Sequence, residues 1–109
     1  MRQKRFYIAG PMSGIPLFNH PAFYCEASKI ESEGHIVLSP AILPVGLEHE
    51  EYMRICMPML EVSDEVVLLM GWQNSRGARA EHEYASCLGK VIHYPDGIIS
   101  YPETLGVQL

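Results

Sequence analysis

Four short apolar runs, each separated from the next by a stretch of helical periodicity, constrain this chain more than any other feature. The runs are Phe6–Ala9, His35–Leu38, Glu65–Met70 and Val91–Tyr94. Phe6-Tyr7-Ile8-Ala9 stops at Gly10-Pro11, which predicts a first strand and a turn. Pro21 to Glu33 reads as a helix: proline stands in its first turn, Phe23, Ala27 and Ile30 repeat at helical spacing, and Gly34 follows as a stop. After the second run and a two-proline loop (Ser39 to Gly46), Glu48 to about Leu60 reads as a second helix, acidic at its start and expected to kink or end at Pro58. Val66-Val67-Leu68-Leu69 is apolar throughout, as in a strand covered on both faces. Ser75 to Leu88 is the third helix, with Ser75 as N-cap and Gly89 as stop. A short last strand is expected at Ile98-Ile99.

Strand–helix alternation with buried strands predicts a single-domain, three-layer α/β fold. Its sheet is expected to be flavodoxin- or Rossmann-like, parallel, with four to five strands. The length, 109 residues, fits one domain. In such sheets ligands bind outside the carboxyl ends of the strands. Here those ends carry Gly10 to Gly14, Ser39 to Leu47 and Gly71 to Gly77.

Composition excludes several classes. A net charge of -5 lacks the basic footprint of a duplex-DNA binder, although backbone N–H groups can hold one small anion locally. The three cysteines, Cys25, Cys56 and Cys87, have no metal-ligand spacing and no even count for a disulfide framework, so a reducing cytoplasm is expected. The basic start, Met1 to Arg5, precedes a short strand rather than a signal-peptide apolar region, and no apolar run approaches membrane-spanning length. The five histidines are scattered, and His49-Glu50-Glu51 is not the HExxH zinc motif, so no metal and no cofactor are expected.

One residue breaks the pattern. On a wheel of the third helix, Arg76, Arg79, Glu83, Ser86 and Lys90 form a solvated side. Gly77, Ala78, Tyr84, Ala85 and Leu88 form the inward side, and Glu81 falls among them. A carboxylate there is costly unless it is paired or has a purpose. Two readings stand side by side: Glu81 pairs with Arg76 or a core tyrosine and holds the fold, or it acts on a sugar carbon of oxocarbenium character. Helical side chains lean toward the N-terminus, so Glu81 leans over Gly77, where a missing side chain leaves room for a ligand. The adjacent helix start, capped by Ser75, suits an anion. Burial would raise the Glu81 pKa and the helix N-terminus would lower it.

Gly10 and Gly14 bracket the first loop. Their spacing is neither a P-loop nor a dinucleotide fingerprint, so a plain turn and a phosphate cradle both fit. Tyr7 is either a core aromatic or a hydroxyl that orients the carboxylate. Trp72 either stacks on a base or anchors its loop. Cys56 reads as a buried inert thiol rather than a nucleophile.

Taken in order, Tyr7-Ile8-Ala9-Gly10-Pro11-Met12-Ser13-Gly14, Gly34-His35-Ile36-Val37-Leu38-Ser39-Pro40, Asp64-Glu65-Val66-Val67-Leu68-Leu69, Gly71-Trp72, Ser75-Arg76-Gly77-Ala78-Arg79-Ala80-Glu81 and Leu88-Gly89-Lys90 resemble the nucleoside 2-deoxyribosyltransferase superfamily, and a small phage and bacterial branch of it in particular. The resemblance implies that Glu81 is the glutamate that attacks the anomeric carbon and forms a glycosyl-enzyme, with Tyr7 positioning it. It implies that Ser75 lies near the sugar or 5′-phosphate, and that Gly10, Pro11, Met12, Ser13 and Gly14 line the sugar-phosphate side. It further implies a small nucleoside or nucleotide as partner and a homodimer or larger assembly. Two positions depart. Cys56 stands where the family carries an aspartate that helps protonate the leaving base, and Ser13 stands where the nucleotide-hydrolysing branch has an arginine. Leaving-group activation then falls to His49, Glu50 or Glu51, or is absent. A non-catalytic nucleotide-binding or sensor module is the alternative to an N-glycosidic-bond enzyme, and a protein that keeps only the fold for interaction is the third reading.

Overall fold

The computed structural model describes residues 2–102. Five strands, β1 (Arg5–Ala9), β2 (Ile36–Leu38), β3 (Glu65–Leu68), β4 (Val91–His93) and β5 (Ile99–Ser100), form one sheet in the order β2-β1-β3-β4-β5. Three helices, α1 (His20–Ser32), α2 (His49–Val62) and α3 (Arg76–Cys87), connect the first four strands. The pairs β1–β2, β1–β3 and β3–β4 are parallel, and the order 2-1-3-4-5 is the flavodoxin-like one.

Alternation along β1 divides the core. Phe6 and Ile8 face α1 and pack with Phe23, Ile30, Ala41 and Leu69. Tyr7 and Ala9 face the other way and pack with Cys56 and Leu60 of α2 and Ala85 of α3. One helix therefore covers one face of the sheet and two cover the other, which is the expected three-layer arrangement. Lys90 ties the second layer to the sheet: its Nζ donates to the carbonyls of Ser63 (2.5 Å) and Glu61 (2.9 Å), groups left free at the end of α2.

Three local expectations are corrected. The last strand, β5, runs antiparallel to β4. The Pro95-Asp96-Gly97 connection is too short for a crossover helix and closes instead as a tight turn, with Gly97 at φ +94° and its N–H on the Tyr94 carbonyl at 3.0 Å. Of the two outcomes expected at Pro58, a kink or an end, the second does not occur, since α2 continues to Val62. Pro58 and Arg54 both lie on the exposed side of the helix, where a carbonyl that loses its helical partner costs less than in the core. Leu88 lies at the α3 C-cap and is 43% exposed rather than inward, because the last turn runs past the edge of the core.

The start of α2 is fixed by a reciprocal cap: the Glu51 carboxylate accepts the Glu48 N–H at 2.8 Å while the Glu48 side chain takes the backbone N–H of Glu51. No described helix is long and apolar enough to cross a membrane.

Candidate active site

From β1 the chain runs out to one side and returns as β2. The second half of the sheet builds from β3 toward the other side. The carboxyl ends of β1 and β3 therefore diverge into a crevice, the usual ligand position in open α/β sheets. A cavity of about 470 Å³ occupies it. Its walls come from the loop after β1 (Gly10 to Ser13), the segment after β2 (Pro40 and Leu43 to Leu47), the first turns of α2 and the start of α3. All three segments expected at the strand ends contribute to it. The size and the mixture of apolar walls with a few polar groups suit a small organic ligand.

The first loop can reach the crevice because Gly10 has no side chain. A Cβ there would lie 2.8 Å from Leu69 Cβ. The loop then passes through Leu17, Phe18 and Asn19, all with left-handed φ (57°, 52° and 61°), an unusual run for residues other than glycine. Asn19 holds it by donating its Nδ2–H to the Pro11 carbonyl at 2.9 Å, and Phe18 reaches the cavity wall.

Glu81 is 5% exposed and borders the cavity. α3 turns Ala78, Glu81 and Ala85 inward. The Ser75 hydroxyl accepts the Ala78 N–H at 3.1 Å and fixes the start of that helix, as expected of an N-cap. The wholly buried Tyr7 donates its hydroxyl to Glu81 Oε2 at 2.5 Å, so the partner of the carboxylate is the core tyrosine and not Arg76. Burial pushes the Glu81 carboxyl up to about 7, with the Tyr7 bond working in the opposite direction. Of the influences expected on this group, desolvation is the largest one acting, and what opposes it is the Tyr7 hydroxyl. The Tyr7 phenol is held well above its ordinary range, first by burial and then by the neighbouring carboxylate. Cys56, in the same layer, is also pushed up, to about 11, by burial, so it is a neutral thiol at pH 7.

Glu81, Gly10, Pro11, Met12, Ser13, Ser75 and Gly77 all border the cavity, and Tyr7 stands directly behind Glu81. The room expected over Gly77 is taken up by Met53 and His49 rather than left for a ligand: a Cβ on Gly77 would already meet Met53 Sδ at 3.4 Å and His49 Cε1 at 3.6 Å, ordinary contact distances. Two residues fall outside. Gly14 has left-handed φ (+79°) and open space around it, but does not line the cavity. Trp72 packs its ring on His82 (centroids 4.5 Å apart) and near Tyr94 (6.1 Å) rather than on the cavity, which makes it a loop anchor.

Several lining residues carry no signal of their own in the sequence. Phe18, His20, Tyr52 and Asn74 reach the cavity because strand order brings separate loops together. Of these only Asn74 falls in a segment that the strand-end rule marks; Phe18, His20 and Tyr52 lie beyond those segments. Tyr52 also braces the wall, donating its hydroxyl to the Pro44 carbonyl at 2.6 Å. Among the described residues, no three His, Cys, Asp or Glu side chains gather as a metal-binding set.

Comparison with known proteins agrees with this architecture. A solved structure of a 2-desoxiribosyltransferase from Leishmania mexicana superposes with a TM-score of 0.67 at 20% identity. The match covers 84% of this chain and 63% of that one, so the chain spans less than two thirds of the protein it resembles. At that identity the likeness establishes the deoxyribosyltransferase-like fold. No curated protein matches. The family model described as Domain of unknown function (DUF4406) matches residues 4–94, and the chain belongs to that family.

Proposed function

We propose that this protein cleaves the N-glycosidic bond of a nucleoside or nucleotide, transferring or hydrolysing the (deoxy)ribosyl group through a covalent intermediate on Glu81. The observation that carries this reading is the buried Glu81 at the cavity edge, held by Tyr7 at 2.5 Å. A carboxyl group titrating at about 7 is divided about evenly between its two forms at neutral pH, so an attacking carboxylate is available there. As its oxygen closes on the anomeric carbon, the Tyr7 hydroxyl orients the carboxylate and fixes its distance from the substrate. The capped start of α3, with Ser75 and Gly77 on the cavity wall, offers backbone N–H groups to an oxygen-rich sugar or phosphate. The Leishmania protein of similar fold is described as a deoxyribosyltransferase, which supports the same class of substrate. As in that class, the site is expected to work in a homodimer or larger assembly.

The second reading is a nucleotide-binding or sensor module without turnover. Cys56 favours it, since a neutral, buried thiol on the cavity wall is a poor proton donor to a leaving base.

Incubation with nucleosides, deoxynucleosides and their 5′-monophosphates, with and without a second free base, separates the two. Release of a base or formation of an exchanged nucleoside by the unmutated protein, and not by Glu81→Ala, is the expected result. Saturable binding without product from any substrate establishes the binding module instead.

A further inference from the structure

We infer that His49 is the general acid that protonates the departing base. The inference rests on the glycosyl-transfer reading above.

Cleavage of an N-glycosidic bond leaves an electron pair on a ring nitrogen of the base. Unless that nitrogen or a conjugated one receives a proton, the base departs as an anion and the barrier is high. Some group on the cavity wall must supply the proton. Cys56 holds its own too tightly. Glu51 is engaged in the α2 cap, its carboxylate on the Glu48 N–H at 2.8 Å. Glu50, exposed like His49, does not line the cavity. His20 does line it, but in the first turn of α1, across the sheet from α3, with its ring against Tyr24 (centroids 5.6 Å apart) and Phe18 (6.3 Å).

His49 is placed differently. It is the first residue of α2, its ring lines the cavity, and Cε1 lies 3.6 Å from the point a Gly77 Cβ would occupy. Gly77 is one turn before Glu81, and Glu81 leans toward that turn. The His49 ring therefore packs on α3 one turn before Glu81, and the imidazole and the carboxylate line one cavity. A sugar carbon held over Glu81 puts its attached base within reach of the His49 ring. An imidazolium is an effective proton donor near neutral pH.

The step balances. A Glu81 carboxylate oxygen forms a bond to C1′, and the C1′–N bond breaks with its pair retained by the base. The proton moves from the His49 imidazolium to a base ring nitrogen. A neutral base leaves, and His49 is left as neutral imidazole. In the second half, an acceptor base or water attacks C1′, the C1′–Glu81 bond breaks, and the acceptor's proton passes to His49, which restores both groups.

The test compares 2′-deoxyguanosine with 7-methyl-2′-deoxyguanosine. The methylated base is already cationic, so it leaves neutral without being protonated. In His49→Gln and His49→Asn, kcat/KM for 2′-deoxyguanosine should fall about 100-fold or more, while that for the methylated substrate changes less than about threefold. Glu50→Gln should leave both rates unchanged. Equal losses on both substrates, no loss on either, or a selective loss in His20→Gln or Glu50→Gln instead overturns the assignment to His49 and leaves the glycosyl-transfer reading intact. If the unmutated protein releases base from neither substrate nor from any other nucleoside or nucleotide, that reading falls and the assignment falls with it. Thermal unfolding of each His49 variant within a few degrees of the parent separates lost chemistry from lost fold.

Discussion

Tyr7 and Glu81 are 74 positions apart, on the first strand and the third helix, and a 2.5 Å hydrogen bond joins them where the core meets the cavity. The bond ties the carboxyl group proposed as nucleophile to the core, so changes to either partner should register in stability and, on that proposal, in activity.

Replacing Glu81 should reveal how much the fold gives up to keep the carboxyl buried. Its ordinary value is 4.5, and burial raises it to about 7. Below the lower value the group is protonated whether the chain is folded or unfolded, and it imposes no penalty. As pH rises from there to about 7, the unfolded chain releases the proton first and folding becomes less favourable, by roughly 3 kcal/mol in all. Glu81→Gln lacks this dependence and retains a hydrogen-bonding carbonyl for Tyr7. Denaturant unfolding of the two proteins should therefore diverge between pH 4.5 and 7, with the glutamine variant the more stable at the upper end. Parallel curves would show that Glu81 is not desolvated.

Tyr7→Phe removes the donor and leaves the carboxylate without its partner. The proton on Glu81 should then be held more tightly, and the acidic limb of any pH–rate profile should move to higher pH. A buried acceptor left unpaired costs about 1–3 kcal/mol, which urea unfolding at neutral pH would register. A stability loss with an unmoved acidic limb would assign Tyr7 to packing alone.

Gly10→Ala should destabilise the protein by about 1–3 kcal/mol, because the new methyl lies 2.8 Å from Leu69 Cβ. The nearest atom is the first carbon of the Leu69 side chain, so Leu69→Ala should fail to rescue the variant. Rescue in the double variant, measured by thermal unfolding, would show that only the outer leucine atoms matter.

Leu17→Gly tests the left-handed run in the first loop. Leu17 is 74% exposed, so little packing is lost, while a β-carbon is removed from a conformation that disfavours it. The net expectation is a gain of about 0.5–1 kcal/mol, visible as a rise in Tm of several degrees. A fall in Tm would mean that the conformation carries little strain.

Much of this architecture is legible before folding is considered. Alternation of apolar runs with helical periods yields the layers, and Ser75 announces a helix start that its hydroxyl does cap. Glu81 stands out because a wheel shows a charge on an inward stripe. What a wheel reports is angle and not depth, so Leu88, at the correct angle but beyond the core, is exposed. Trp72 follows β3, just where a stacking residue is wanted, yet His82 and Tyr94 offer it a closer aromatic surface. The choice among His49, Glu50 and Glu51 depends on which of three neighbours a helix start turns toward the cavity and which it uses for its own cap. No periodicity records that. Nor does local pattern show that Tyr7 meets Glu81, since strand order decides that pairing.

The strand lengths have a consequence for handling the protein in solution. Each border of the sheet is a very short strand, three residues in β2 and two in β5. An exposed border strand is a template on which another chain can add, and one this brief offers few free backbone groups in register. The turn at Pro95-Asp96-Gly97 folds the chain back over the side of β4, where the two residues of β5 pair with it. Among the described residues, the cavity at one end of the sheet is thus kept without long unpaired borders that would invite aggregation.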